Sequence, residues 1–133
     1  MRNTIFVDSG VISLYLSNHE QTHREIKTLK KAQSIILSSE LNYIELFYHL
    51  CREKGKINAQ VIMENLRQGN TIKFIPVNEK ISILAGELKC KYKFLSIVDA
   101  VMIAEALARK ILIYTTETHF NDVDNLKVKK IDF

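Results

Sequence analysis

The chain has 133 residues, 47% of them apolar and 26% charged, with a formal net charge of +4. That balance supports one packed core and excludes disordered, collagenous and fibrous classes. No apolar run nears the roughly 20 residues that span a bilayer, so no membrane role is expected. Two distant cysteines, Cys51 and Cys90, form neither a disulfide framework nor a zinc spacing. Met1-Arg2-Asn3 leads straight into an apolar stretch with no long h-region, so no signal peptide is expected. A single domain over 1–133 and a cytoplasmic location follow as expectations. The mild positive charge permits a polyanionic partner without demanding one.

In chain order, residues 4–7 (Thr-Ile-Phe-Val) predict a buried strand. Residues 10–17 predict a short helix and 20–31 a polar amphipathic one. Residues 34–37 (Ser-Ile-Ile-Leu) predict a second strand. Ser38 or Ser39 then caps a helix over 40–54 that stops at Gly55. A helix over 57–68 ends at Gly69. Residues 72–77 predict a third strand, with the only proline, Pro76, at its end. Helices follow over 79–92 and, opened by Ser96, over 96–110. Strands over 111–115 and 127–131 complete the series. Apolar strands alternating with helices predict an α/β fold: a three-layer α/β/α sandwich with a five-stranded, mostly parallel sheet covered on both faces.

In such sheets ligands sit beyond the carboxyl ends of the strands, at the switch point. Asp8 follows the first strand, and Glu117 follows the fourth. Asp99 lies three residues after Ser96, at a capping-box spacing. Glu45 shares a helical stripe with Leu41 and Tyr48, where a carboxylate is costly without a partner. Glu40 sits in the first turn of the same helix, where an acid suits the helix dipole. If the four acids Asp8, Glu45, Asp99 and Glu117 converge, they repel one another, and a divalent cation resolves the repulsion. An all-oxygen donor set favours Mg²⁺ or Mn²⁺ over zinc and commonly serves phosphodiester hydrolysis.

Other polar residues have weaker claims. Ser9 is a candidate hydrogen-bond partner for a carboxylate, and Thr115 a candidate to orient the same group. His19 and His23 stand four apart but lack a third ligand, and His49 reads as a boundary residue. His119 lies close enough to Glu117 for a role near substrate. Arg24, Lys27, Lys30 and Lys31 form one basic stripe, and Lys89, Lys91 and Lys93 another, either of which suits phosphates. With no tryptophan and no aromatic-rich basic patch, base stacking is not predicted. Tyr15, Leu16, Tyr48 and Met63 are core residues or else apolar anchors for a partner. A receiver domain would need paired acids after the first strand. A haloacid-dehalogenase phosphatase would need Asp-x-Asp. With four glycines in all, there is no Gly-rich nucleotide loop.

Together these segments resemble the PIN-domain ribonucleases, and more narrowly the VapC-type toxins. The matching segments are Phe6-Val7-Asp8-Ser9, Ile44-Glu45-Leu46, Leu95-Ser96-Ile97-Val98-Asp99-Ala100 with its alanine-rich continuation, and Thr115-Thr116-Glu117-Thr118-His119-Phe120. Residues 84–92 resemble the helix before the third of these. The chain departs from the family where Glu117 replaces the usual Asp. Asp122 is a nearby acid that would substitute. The resemblance implies a five-stranded parallel sheet and a Mg²⁺- or Mn²⁺-dependent endoribonuclease, often a homodimer, with an antitoxin as partner. It puts Asp8, Asp99 and Glu117 at the metal, with Glu45 at the attacking water or the metal. A degraded PIN domain that binds RNA or protein without cutting is the alternative that Glu117 raises.

Overall fold

The computed structural model describes residues 3–133; Met1 and Arg2, which entered the reading of the N-terminus, lie outside the described residues. The chain runs β1 (Thr4–Val7), α1 (Ser9–Leu16), α2 (Glu20–Lys31), β2 (Ile35–Ser39), α3 (Glu40–Lys54), α4 (Lys56–Gln68), β3 (Lys73–Ile75), α5 (Glu79–Lys91), α6 (Ile97–Arg109), β4 (Leu112–Thr115), a 3₁₀ turn (His119–Asp122) and β5 (Val128–Lys130). The five strands form one sheet in the order β3-β2-β1-β4-β5, and every pairing is parallel.

Side chains along each strand alternate between two apolar layers, which is why the strands read as unbroken apolar runs. Phe6, Leu37 and Ile113 enter the layer packed by α5 and α6. Ile5, Val7, Ile36 and Tyr114 enter the layer packed by α1, α2, α3 and α4. Met63 is fully buried in that second layer, so it is a core residue and not a partner anchor. Tyr48 is exposed, and its hydroxyl accepts from Arg52 at 2.8 Å.

Two boundaries differ from expectation by more than one residue. The second strand reaches Ser39 and not Leu37, because Ser38 and Ser39 pair in register with Phe74 and Ile75 of β3. The third is cut to Lys73–Ile75, since Pro76 has no N–H to continue the ladder. Ser39, not Ser38, caps α3, in a reciprocal box with Asn42. The Ser38 hydroxyl instead donates to the Val7 carbonyl at 2.9 Å, tying β2 to the end of β1. No helix among the described residues is long and apolar enough to cross a membrane.

Candidate active site

In the order β3-β2-β1-β4-β5, the chain reverses direction of winding between β1 and β4. Their carboxyl ends lie side by side, with Val7 opposite Tyr114. The crevice there is the position at which a parallel sheet presents a ligand site. Asp8 stands at its floor. It is 4% exposed and caps α1, and its Oδ1 accepts from the Val11 amide at 2.8 Å. Oδ2 accepts from the Thr115 hydroxyl, and from the Thr116 amide at 3.2 Å. Thr115 in turn accepts from the Glu117 amide at 2.9 Å. One buried hydroxyl therefore fixes both the first acid and the turn that carries the fourth.

Gly10 permits this closeness. A β-carbon there would collide with the Thr116 hydroxyl and lie 3.2 Å from that residue's own Cβ, so Thr116 would have to turn and shift. The start of α1 can sit against the end of β4 only without a side chain at that position.

Burial pushes the Asp8 carboxyl up to about 6, outweighing the bonds from Thr115, Val11 and Thr116 that pull it down; the nearby Asp99 raises it further. Ser96 caps the helix that carries Asp99, its hydroxyl accepting from the Asp99 amide at 3.0 Å. The Asp99 carboxyl is also raised, first by burial, against the Ser96 bond, and then by the charges of Glu117 and Glu45. Asp8, Asp99, Glu117 and Glu45 thus share one electrostatic neighbourhood, although they come from the ends of two strands and from two helices. They are not drawn into a ready cage. Among the described residues, no three His, Cys, Asp or Glu side chains stand close enough to hold one ion.

Glu117 is half-exposed, and its Oε2 lies 3.1 Å from Nε2 of His119. His119 therefore sits at the mouth of the crevice, next to the departure from the family pattern. Ser9 bonds no carboxylate; its hydroxyl accepts from Asn42 Nδ2 at 2.9 Å, joining α1 to the cap of α3. Asn42 went unremarked in the sequence, yet it is fully buried and ties Ser9 and Ser39 together. The Ser39-x-x-Asn42 spacing was its signal.

Other candidates leave the site. Glu40 makes a two-pronged pair with Arg67 at 2.7 and 3.0 Å. His19 caps α2 through Nδ1. His23 stacks on Tyr15, and its Nε2 is 2.7 Å from the Tyr15 carbonyl. With both rings engaged, the two histidines are not a metal pair. Arg24, Lys27, Lys30 and Lys31 do line one open groove together with that stacked pair. A second groove, of 610 Å³, runs from Ser9 and Glu45 past Leu46, His49 and Leu50 to Glu53 and Ile62.

A doubly covered parallel sheet with carboxylates gathered at its β1/β4 crevice defines an α/β protein with an acidic site at the switch point. The model of the PIN-domain family matches residues 5–126, and the chain belongs to that family. Among solved structures it is similar to a chain of VapBC2 from Rickettsia felis, bound to a promoter DNA fragment, with a TM-score of 0.83 at 18% identity over 97% of this chain and 99% of that one. Similar too are a chain of DNA-bound VapBC from Salmonella typhimurium (0.78, 16%, 98% and 98%) and VapC20 of Mycobacterium tuberculosis, a sarcin–ricin loop cleaving toxin (0.73, 21%, 94% and 98%). At these identities the likeness is one of fold. Comparison with curated proteins finds no match.

Proposed function

We propose that the chain is a divalent-metal-dependent endoribonuclease, the toxin of a toxin–antitoxin pair, working at Asp8, Asp99, Glu117 and Glu45. One contrast carries the reading. Asp8 and Glu105 are the charged residues buried in the core among those described. Glu105 is answered by Arg109 at 2.7 Å. Asp8 has no cation; three hydrogen bonds hold it, and its charged neighbour is another acid. No lysine or arginine pairs with the other three acids either, among the described residues. A buried carboxylate without a counter-charge is costly, and a cation from outside the chain would offset that cost.

The donors are all carboxylate oxygens, which fit Mg²⁺ or Mn²⁺. Asp8 and Asp99 would hold the ion, with Glu117 reaching it directly or through water. Such an ion lowers the pKa of bound water and offsets charge on the phosphate oxygens. The protein's own part is positioning. Thr115 and the Val11 and Thr116 amides fix the Asp8 carboxylate in one orientation. Glu45, on α3, would orient or deprotonate the attacking water. Purified protein should cleave RNA with Mn²⁺ or Mg²⁺, and Asp99→Asn prepared alongside should not. Equal cleavage by both would remove the carboxylates from the reaction.

The similar structures include VapBC2 of Rickettsia felis and a toxin–antitoxin complex from Klebsiella pneumoniae, which supports an antitoxin for this chain. The groove beginning at Ser9 and Glu45 is its expected seat, and a homodimer in the cytoplasm the expected form. A second reading is favoured by the Glu117–His119 pair. If that contact holds Glu117 away from the metal, the chain binds RNA or a protein without cutting. Neither Mg²⁺ nor Mn²⁺ would then bind by calorimetry, and Glu117→Asp would restore binding.

A further inference from the structure

Helix α5 ends in Lys89-Cys90-Lys91, and the turn beyond it reads Tyr92-Lys93-Phe94. Cations and aromatics thus interleave over Lys91-Tyr92-Lys93-Phe94, a run too short to mark a nucleic-acid surface by itself. The fold supplies what the run lacks. His119, from the turn after β4, packs edge-to-face on Phe94, with ring centroids 5.7 Å apart at 73°. Tyr92 meets Phe94 from behind at 6.0 Å and 66°. Phe94 is 49% exposed, and His119 is half-exposed as well. Two open rings at a steep angle make a corner, not a covered core contact.

That corner is rigid. Lys89 Nζ donates to the Leu95 carbonyl at 2.8 Å, and the Leu95 amide donates to the Tyr92 carbonyl at 3.1 Å. The Tyr92 hydroxyl accepts from the Asp124 amide at 3.1 Å. Lys91 lies over the Tyr92 ring and pairs with Asp124 at 3.3 Å, while Lys93 is exposed. The corner also adjoins the acids. His119 touches Glu117, Glu117 acts on Asp99, and Asp99 lies five residues beyond Phe94, in the first turn of α6.

We propose that Phe94 and His119, braced by Tyr92 and flanked by Lys93, form a stacking corner for one unpaired base of the RNA next to the bond cleaved at the carboxylates. This rests on the nuclease reading and deepens it. The substrate is single-stranded at the cleavage site, because a base inside a duplex stack has no free face to offer. Stacking tolerates any base, since every base has a π-face. The corner therefore selects for unpaired structure before sequence, and Lys93 adds a phosphate contact.

The test uses the full chain carrying Asp99→Asn, which removes cleavage, and a short labelled RNA of mixed sequence, alone or annealed to its complement, at fixed salt. Single strands should bind more tightly than the duplex. Phe94→Leu, which keeps an apolar side chain without a ring, should weaken single-strand binding roughly tenfold. Phe94→Trp should keep the affinity, and its indole, in a chain that otherwise has none, should be quenched by single strands. In the cleaving protein Phe94→Leu should raise KM more than it lowers kcat. Equal binding by duplex and single strand, unchanged affinity in Phe94→Leu, or indole fluorescence in Phe94→Trp that single strands leave unchanged would each overturn the corner. If RNA is still cut in a metal-dependent way by the parent protein, the nuclease reading survives that loss. If the parent neither binds nor cuts RNA, both fall.

Discussion

At the scale of single residues, Asp8 carries the most information. Its neighbours are arranged to orient a carboxylate, yet burial lifts it from 3.8 to about 6. The consequence for stability has a definite sign. Between about pH 4 and pH 6 the folded chain keeps a proton that the unfolded chain has already lost. Folding is therefore favoured below that window and weakened as pH rises through it, by about 3 kcal/mol at most from this group. A metal-free urea series from pH 4 to 7 is expected to show that decline. Asp8→Asn should flatten it, and at pH 7 should be more stable than the parent by about 1–2 kcal/mol, the amide giving back part of the gain through an imperfect fit to Thr115 and Thr116. A parent curve that runs parallel to that of Asp8→Asn through the same window would show that Asp8 ionises normally. Asp8 was legible in the sequence because strand-then-acid is a local pattern. Ser9 was read less well: its hydroxyl meets Asn42, a residue 33 positions away, and no local pattern reports that pairing.

At the scale of elements, the helices and strands were legible to within a residue or two because both faces of the sheet are covered. Continuous apolar runs then mark strands, and the caps Ser39 and Ser96 mark helix starts. The end of β2 was misjudged because pairing with β3, not composition, sets where its ladder stops, whereas β3 ends short because Pro76 cannot continue the ladder. The stacking corner was missed for a related reason, since Phe94 and His119 belong to different connections that only the fold brings together. The junctions carry two expectations. Helix α6 ends at Lys110 in the left-handed region, φ 56° and ψ 47°, where a side chain costs about 1 kcal/mol relative to glycine. Lys110→Gly should raise the melting temperature by about 3–4 °C; an unchanged or lower value would mean that the lysine side chain makes up the difference. Gly10→Ala works the other way. Its methyl group must displace Thr116, whose amide helps hold Asp8. We expect a loss of about 1–3 kcal/mol by calorimetry, and a further fall in metal-dependent cleavage beyond what that instability explains.

At the scale of the whole molecule, the buried polar groups are almost all satisfied. Among the described residues only the Ser34 hydroxyl is buried without a partner, and Glu105 has its arginine. The unfavourable electrostatics are gathered at one place, the carboxyl edge of the sheet between β1 and β4, where burial and mutual repulsion raise Asp8 and Asp99 together. A molecule so organised gives up stability at its site and would regain it on binding a cation there. The size of that recovery follows from mass action: Mg²⁺ or Mn²⁺ at 100 times its dissociation constant adds about 2.7 kcal/mol, provided the unfolded chain does not bind it. With the entropy of unfolding typical of 133 residues, this is a rise of about 10 °C in melting temperature. Asp8→Asn and Asp99→Asn should melt higher than the metal-free parent and respond little to the ion, because each removes one repelling charge and one ligand at once. Potassium chloride at matched ionic strength separates binding from screening. A rise with either salt alike, or the same metal-induced rise in all three proteins, would place the cation elsewhere on the molecule and leave the acidic crevice a purely structural feature of the fold.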